Sequence, residues 1–203
     1  MRPWLYSTLY RLRVAPWDAL RPEISELVGS GRIPVERFRN VVDLGCGTGR
    51  EAVYLAERGY RVTGVDYTKV ALRRARRRAA RAGVADRCRF VDGDVTRPDR
   101  LGLRGSFDLL LDFGTLDDLN PSDRQAMAAA VYRLSHPGSV FVLWCFYAAP
   151  DELPRARWSG ASKALMAVRP GEEKELFGLA FDIERWPTPP PPEHCACFLM
   201  TRR

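Results

Sequence analysis

The stretch that decides the fold is Val41–Asp66, VVDLGCGTGREAVYLAERGYRVTGVD. It opens with an apolar run, Val41, Val42 and Leu44, that stops at three glycines on alternating positions, Gly45, Gly47 and Gly49. An amphipathic segment follows, with Ala52, Val53, Leu55 and Ala56 on one face and Gly59 placed as a C-terminal cap. A second apolar run then ends at Asp66. Strand, glycine turn, helix, strand is the unit of a parallel α/β sheet. Its turn brings free backbone N–H groups and the positive end of a helix to one point, a place for a polar or anionic ligand group.

Outward from this stretch the same alternation continues. ALRRARRRAARAG (71–83) reads as a helix closed by Gly83, CRFVDGD (88–94) as a third strand, and FDLLLDFG (107–114) as a fourth with the near-continuous apolar run of a buried parallel strand. PSDRQAMAAAVYRL (121–134) is a helix with proline in its first turn, and SVFVLWCFY (139–147) a fifth strand. Beyond 147 the pattern becomes irregular, and LAFDIERW and HCACFLMTRR read as two further strands joined across the stiff run PTPPPP. The expectation is one domain over 1–203: a helical lead-in (1–38), a ligand-binding core (39–147), and an insert with C-terminal strands (148–203). Its fold class is α/β, a doubly wound, mostly parallel seven-stranded sheet with helices on both faces.

Composition narrows the function classes. With 203 residues and 46 % hydrophobic content the chain can bury a core. No apolar run approaches the roughly 18–20 residues of a membrane helix, and Arg2, Pro3, Arg11 and Arg13 interrupt the N-terminal segment, so a cytoplasmic protein is expected, with no membrane partner. Five cysteines lack any metal-ligand spacing and read as reduced, packed thiols, with no metal expected. Six arginines of the 71–83 helix account for six units of the formal net charge of +7. No aromatic residue interleaves them, so a solvated helix face is favoured over a nucleic-acid surface.

Spacing eliminates two ligands for the glycine turn. A phosphate loop needs Gly-Lys-Ser/Thr after a four-residue gap, and no lysine follows here. A dinucleotide fingerprint counted from Gly45 and Gly47 would require Gly or Ala where Arg50 stands. The pattern present is D-x-G-x-G-x-G, Asp43 to Gly49.

VVDLGCGTG resembles the first signature of the class I S-adenosylmethionine-dependent methyltransferases. FVDGDV (90–95) is similar to their third-strand signature, FDLLLDFGTLDDL (107–119) to the segment after the fourth strand, and LSHPGSVFVL (134–143) to the turn into the fifth, with Ser139 in place of a second glycine. The resemblance implies the cofactor S-adenosyl-L-methionine, and a sheet whose last strand is antiparallel, which the two final strands fit. It places the amino-acid end on Asp43, Gly45, Cys46, Gly47 and Gly49, the ribose hydroxyls on Asp66 beside Tyr67, the adenine near Asp94 and Val95, and the methionine part above Asp112. Asp92 is a rival to Asp94.

The chain is also similar to small bacterial methyltransferases of the thiopurine and tellurite-resistance type, in which the N-terminal segment closes over the cofactor. That likeness implies a small-molecule acceptor, a lid made of the lead-in and the 148–170 insert, and pocket walls from Trp17, Phe113, Tyr147 and Trp158. Asp112, Asp117, Asp118, His136 and His194 are candidate general bases, and no catalytic residue is singled out among them. Two alternatives stay open: an RNA or protein methyltransferase guided by the Arg-rich helix, and a non-catalytic cofactor-binding module.

Overall fold

The computed structural model describes residues 3–12, 18–103, 106–149, 151–152, 167–187 and 194–203. The strands are β1 (Asn40–Leu44), β2 (Arg61–Asp66), β3 (Cys88–Asp92), β4 (Phe107–Phe113), β5 (Ser135–Phe146), β6 (Phe181–Trp186) and β7 (Cys195–Arg202). They form one sheet in the order β3-β2-β1-β4-β5-β7-β6. The pairs β1–β2, β1–β4, β2–β3 and β4–β5 are parallel, and β7 runs antiparallel between β5 and β6. The order reverses at β1, which opens a crevice beyond the carboxyl ends of β1 and β4, where ligands of open α/β sheets bind.

The pleat divides the core in two. Val41, Leu109, Leu111, Val140, Val142 and Trp144 face one way, onto Ile24 and Leu27 of α2 (Pro22–Gly29) and the apolar side of α3 (Arg50–Glu57). Val42, Leu110, Phe141, Leu143 and Cys145 face the other way, onto Met127, Val131 and Leu134 of α5 (Pro121–Leu134). Burial on both faces is why these strands read as unbroken apolar runs. α4 (Lys69–Arg81) buries Ala71, Leu72, Ala75 and Ala79 and leaves Arg73, Arg76 and Arg77 exposed. α1 (Pro3–Leu12) packs against α4.

Two elements differ from the sequence expectation. β5 starts at Ser135, because Ser139 Oγ donates to Phe107 O (2.7 Å) and accepts from His136 N–H (2.9 Å), which folds His136–Gly138 into a bulge beside β4. A short helix, α6 (Glu172–Phe177), lies where irregular chain was expected. It carries no apolar period, because it is held by polar contacts: Glu172 accepts from Arg124 Nη1 at 2.8 and 3.0 Å, and Tyr147 Oη lies 3.1 Å from Glu173 Oε2. All five cysteines are free thiols.

Candidate active site

A cavity of about 580 Å³ opens at the carboxyl ends of the strands. Gly45 after β1, Asp66–Thr68 after β2 and Asp94–Thr96 after β3 form one side. Phe113–Thr115, Asp117–Leu119 and Asp123 form the floor beyond β4, Trp144 and Phe146 of β5 close it, and Tyr10 and Arg21 reach in from the lead-in.

The glycine turn is built for close approach. Gly45 has φ +83°, and a Cβ there would lie 1.9 Å from Thr115 Oγ1, which itself donates to Leu44 O at 3.1 Å. A Cβ on Gly47 would lie 2.7 Å from the Tyr10 hydroxyl. Gly49 serves packing instead, since a Cβ there would meet Ala75 and Phe90 at 2.9–3.1 Å. Asp18 draws the lead-in onto this turn, accepting from Thr48 Oγ1 at 2.5 Å and from Arg50 Nε at 2.7 Å.

Asp66 locks the turn to β2. Its Oδ2 accepts from Gly47 N–H (2.9 Å) and its Oδ1 from Thr68 N–H (2.6 Å), while the residue stays in the cavity wall at 7 % exposure. Burial raises its pKa, and the two N–H donors offset part of the rise. Tyr67 and Val95 line the cavity with it. Asp94 lines the rim and closes an Asx turn onto Thr96 N–H (2.9 Å) and Oγ1 (2.7 Å). Asp92, its rival, points away to Lys69 (3.5 Å) and lines nothing here.

Three residues expected at the cofactor line no part of the cavity. Asp43 is buried under the turn, with Oδ2 unpartnered among the described residues, and burial followed by Glu51, Asp112 and Asp66 holds it well above the carboxylate range. Asp112 is fully buried and caps the turn after β4, accepting from Thr115 N–H (2.7 Å) and Leu116 N–H (2.9 Å). Burial outweighs these donors and pushes it to about 7. Cys46 is buried against Gly64, and burial raises its thiol far above its ordinary value.

Phe113 lines the cavity, but Tyr147 does not. Successive strand residues face opposite ways, so Phe146 takes the cavity side, while Tyr147 turns to Phe198, Glu173 and the Gly171 N–H. Trp17 and Trp158, and most of the 148–170 insert, lie outside the described residues. His136 sits at the opposite end of the sheet, 3.1 Å from Asp108 Oδ1, and His194 is a positive-φ turn residue that lines no part of the cavity. None of the α4 arginines lines it either. Sequence reading passed over Tyr10, Arg21, Thr115 and Trp144. Only the closed fold brings them together, although a tryptophan near the carboxyl end of a parallel strand was a usable signal.

The wall is acidic. Asp66, Asp94, Asp117, Asp118 and Asp123 face a single guanidinium, Arg21, among the described residues. That set of acceptors suits a ligand with hydroxyl and cationic groups. A nucleoside sulfonium amino acid carries a ribose diol, an ammonium and a sulfonium, whereas the N–H groups expected to be free at the glycine turn are in use: Gly45 and Cys46 donate to Val65 O at 2.8 and 2.9 Å, Gly47 to Asp66, and Gly49 to Cys46 O at 2.8 Å. No group of three or more His, Cys, Asp and Glu among the described residues is arranged to hold a metal, and no described helix is long and apolar enough to cross a membrane.

Residues 41–138 match the family model described as a methyltransferase domain. An uncharacterised methyltransferase of Synechocystis is 29 % identical over 145 residues, covering 70 % of this chain and 62 % of that one. The 2-heptyl-1-hydroxyquinolin-4(1H)-one methyltransferase of Mycobacteroides abscessus is 28 % identical over 133 residues, covering 64 % of this chain and 56 % of that one. The matches thus span less than two thirds of either relative. Among solved structures, the Burkholderia thailandensis 1,6-didemethyltoxoflavin-N1-methyltransferase, with its substrate and S-adenosylhomocysteine bound, has a TM-score of 0.69 at 26 % identity and covers 99 % of this chain and 86 % of that one.

Proposed function

The chain belongs to the class I S-adenosylmethionine-dependent methyltransferases, and from that membership we propose that it transfers a methyl group from S-adenosyl-L-methionine to a small-molecule acceptor by direct displacement. The observation that carries the reading is Asp66. It stands at the end of β2, hydrogen-bonded to the glycine turn and facing an acid-lined cavity at the switch point of the sheet.

In this reading Asp66 holds the ribose, the rim at Asp94–Val95 the adenine, and the turn at Gly45 the amino-acid end. When bound, the cofactor supplies an electrophilic methyl group, so the protein's task is to orient the acceptor and exclude water. Tyr10, Arg21 and Asp18 supply the cover from the lead-in side. A small acceptor accords with the Mycobacteroides quinolone methyltransferase and the Burkholderia didemethyltoxoflavin methyltransferase, both named for small-molecule substrates. The arginines of α4 stand outside the cavity, so nothing in the site favours RNA or protein as acceptor.

The test pairs calorimetric titration of S-adenosylhomocysteine with transfer of labelled methyl groups into a fractionated cell extract. Label is expected in the small-molecule fraction, and Asp66→Ala should weaken cofactor binding by at least about tenfold, the scale of one charge-assisted hydrogen bond. Label released only by nuclease or protease would overturn the small-molecule reading, and tight cofactor binding with no labelled product in any fraction would point to a binding module.

A further inference from the structure

The carboxyls lining the cavity are not equivalent. Each oxygen of Asp66 already accepts one backbone N–H group, which meets part of its need, and Asp94 is exposed on the rim. Asp117 is different: it is 3 % exposed, and its Oδ1 has no hydrogen-bond partner among the described residues. Glu23 and Asp43 also carry an unused buried carboxyl oxygen, but neither lines the cavity. Its position is not an accident of a loose loop. Arg124, itself buried, donates through Nη2 to Asp117 O at 3.0 Å and through Nε to Leu116 O and Leu119 O, which clamps the turn from behind. A buried carboxyl oxygen without a donor is costly, and in a wall of a ligand cavity it marks the place of a donor that the ligand brings.

What surrounds that oxygen is aromatic. A methyl group built on Gly114 would lie 3.8 Å from Asp117 Oδ1 and 3.7 Å from the Trp144 ring, in ordinary contact with both, so carboxyl and indole converge on the bare Cα of that glycine. Phe146 meets Trp144 edge-on with centroids 5.7 Å apart. The Arg21 guanidinium stacks 3.7 Å from the Trp144 ring centroid, and Trp144 Nε1 donates to Glu23 Oε1 at 3.1 Å, so the indole is held rigidly at 2 % exposure. A flat wall with one hydrogen-bond acceptor in its corner selects a flat ligand with one donor.

Resting on the methyltransferase reading, we infer that Asp117 accepts the N–H or O–H of the methyl acceptor and takes its proton, and that the acceptor is a planar aromatic or heteroaromatic molecule seated against Trp144 and Phe146. In the balanced step the acceptor's N–H or O–H bond breaks toward Asp117 Oδ1, and its electron pair forms the bond to the methyl carbon. The pair of the broken carbon–sulfur bond stays on the departing sulfur, and the proton leaves Asp117 to solvent. Burial, then Asp112 and Asp118, holds Asp117 well above the carboxylate range, with Cys145 and Cys195 the other titratable groups around it and Arg21 the cation of the wall. A base raised in this way is better matched to an N–H or O–H acid than an ordinary aspartate.

The experiment uses 1-naphthol, naphthalene and cyclohexylmethanol as probes. Their binding is followed by tryptophan fluorescence, and methyl transfer to the two alcohols is measured from about pH 5 to about pH 9. The unaltered protein should bind 1-naphthol about tenfold more tightly than naphthalene, the worth of one buried hydrogen bond, and should methylate it in preference to cyclohexylmethanol. Transfer should rise with pH along a limb displaced above the ordinary aspartate range. Asp117→Asn keeps an acceptor oxygen but no base, so it should retain most of the binding, lose the limb and lose about 100-fold in transfer. Asp117→Ala should lose the preference for naphthol as well. Equal binding of 1-naphthol and naphthalene by the unaltered protein, or a pH limb that survives in Asp117→Asn, would overturn the inference. S-adenosylhomocysteine titration of each variant reports folding independently, and failure of the unaltered protein to bind it would instead bring down the methyltransferase reading beneath.

Discussion

At the residue scale, the turn after β1 divides its glycines between two tasks. Gly49 lets α3, α4 and β3 approach, while Gly45 holds a left-handed conformation with its bare Cα against Thr115 Oγ1. Gly45→Ala therefore meets two penalties, about 1–2 kcal/mol for the left-handed backbone and a further 1–3 kcal/mol for overpacking. We expect a loss of about 2–4 kcal/mol in urea unfolding, together with at least about tenfold weaker S-adenosylhomocysteine binding. Thr115→Ala removes the hydroxyl that the new methyl would strike. The double variant should recover the steric part but not the backbone part, so the two changes should couple by 1 kcal/mol or more, on the order seen for contacting residues. Simple additivity would show that the clash is relieved elsewhere.

At the element scale, most strands and the helices α3, α4 and α5 were legible, because each buries a face whose period is written in the chain: Val41 to Leu44, Leu109 to Leu111, and the alanine stripe of α4. Asp66 was legible as well, through its place at the end of β2. The elements that escaped are those held by polar contacts between distant residues. α6 is six residues long and is anchored by Arg124–Glu172, and no periodicity announces an ion pair 48 residues apart. Tyr147 and Phe146 were exchanged for the same kind of reason, since the phase of a strand against its neighbours is set by pairing with β7. The Arg124–Glu172 pair has a measurable consequence. Burial pulls Glu172 upward, but the Arg169 N–H and the Arg124 guanidinium outweigh it and leave its pKa below the ordinary 4.5. A depressed carboxyl contributes stability that is present above 4.5 and lost as pH falls through the folded-state value. Glu172→Gln should accordingly cost about 3 kcal/mol at neutral pH, where it strands a buried guanidinium. In urea titrations that difference should shrink below about pH 4, where the unaltered protein also loses the charge. A difference that stays constant with pH would mean that shape, not charge, anchors α6.

At the scale of the whole molecule, a chain of net charge +7 encloses a cavity walled by five aspartates, so its basic character belongs to the exterior and its acidity to the site. The lead-in joins the two. Ile24 and Leu27 of α2 are wholly buried in the core and cannot be removed without opening it. Upstream of Pro22 the described contacts are of another kind: Tyr10 stands over Gly47, Asp18 ties Thr48 and Arg50, and α1 rests on the outer helix α4. None of these residues supplies a strand, and each bears on the turn that would hold the cofactor's amino-acid end. Removing residues 1–19 should therefore leave the sheet intact by circular dichroism and lower Tm by only a few degrees, about 2–4 °C per kcal/mol lost in a chain of this size. The loss should fall on retention of the ligand instead. S-adenosylhomocysteine should dissociate at least about tenfold faster, because a cover acts mainly on the off-rate. The substitutions Tyr10→Phe and Asp18→Asn in the full-length chain separate the contributions: the first removes only the hydroxyl above Gly47, the second weakens the ties of the lead-in to Thr48 and Arg50. An unchanged off-rate in the shortened chain, with a large fall in Tm, would make the lead-in a part of the core's packing and not a cover of the cavity.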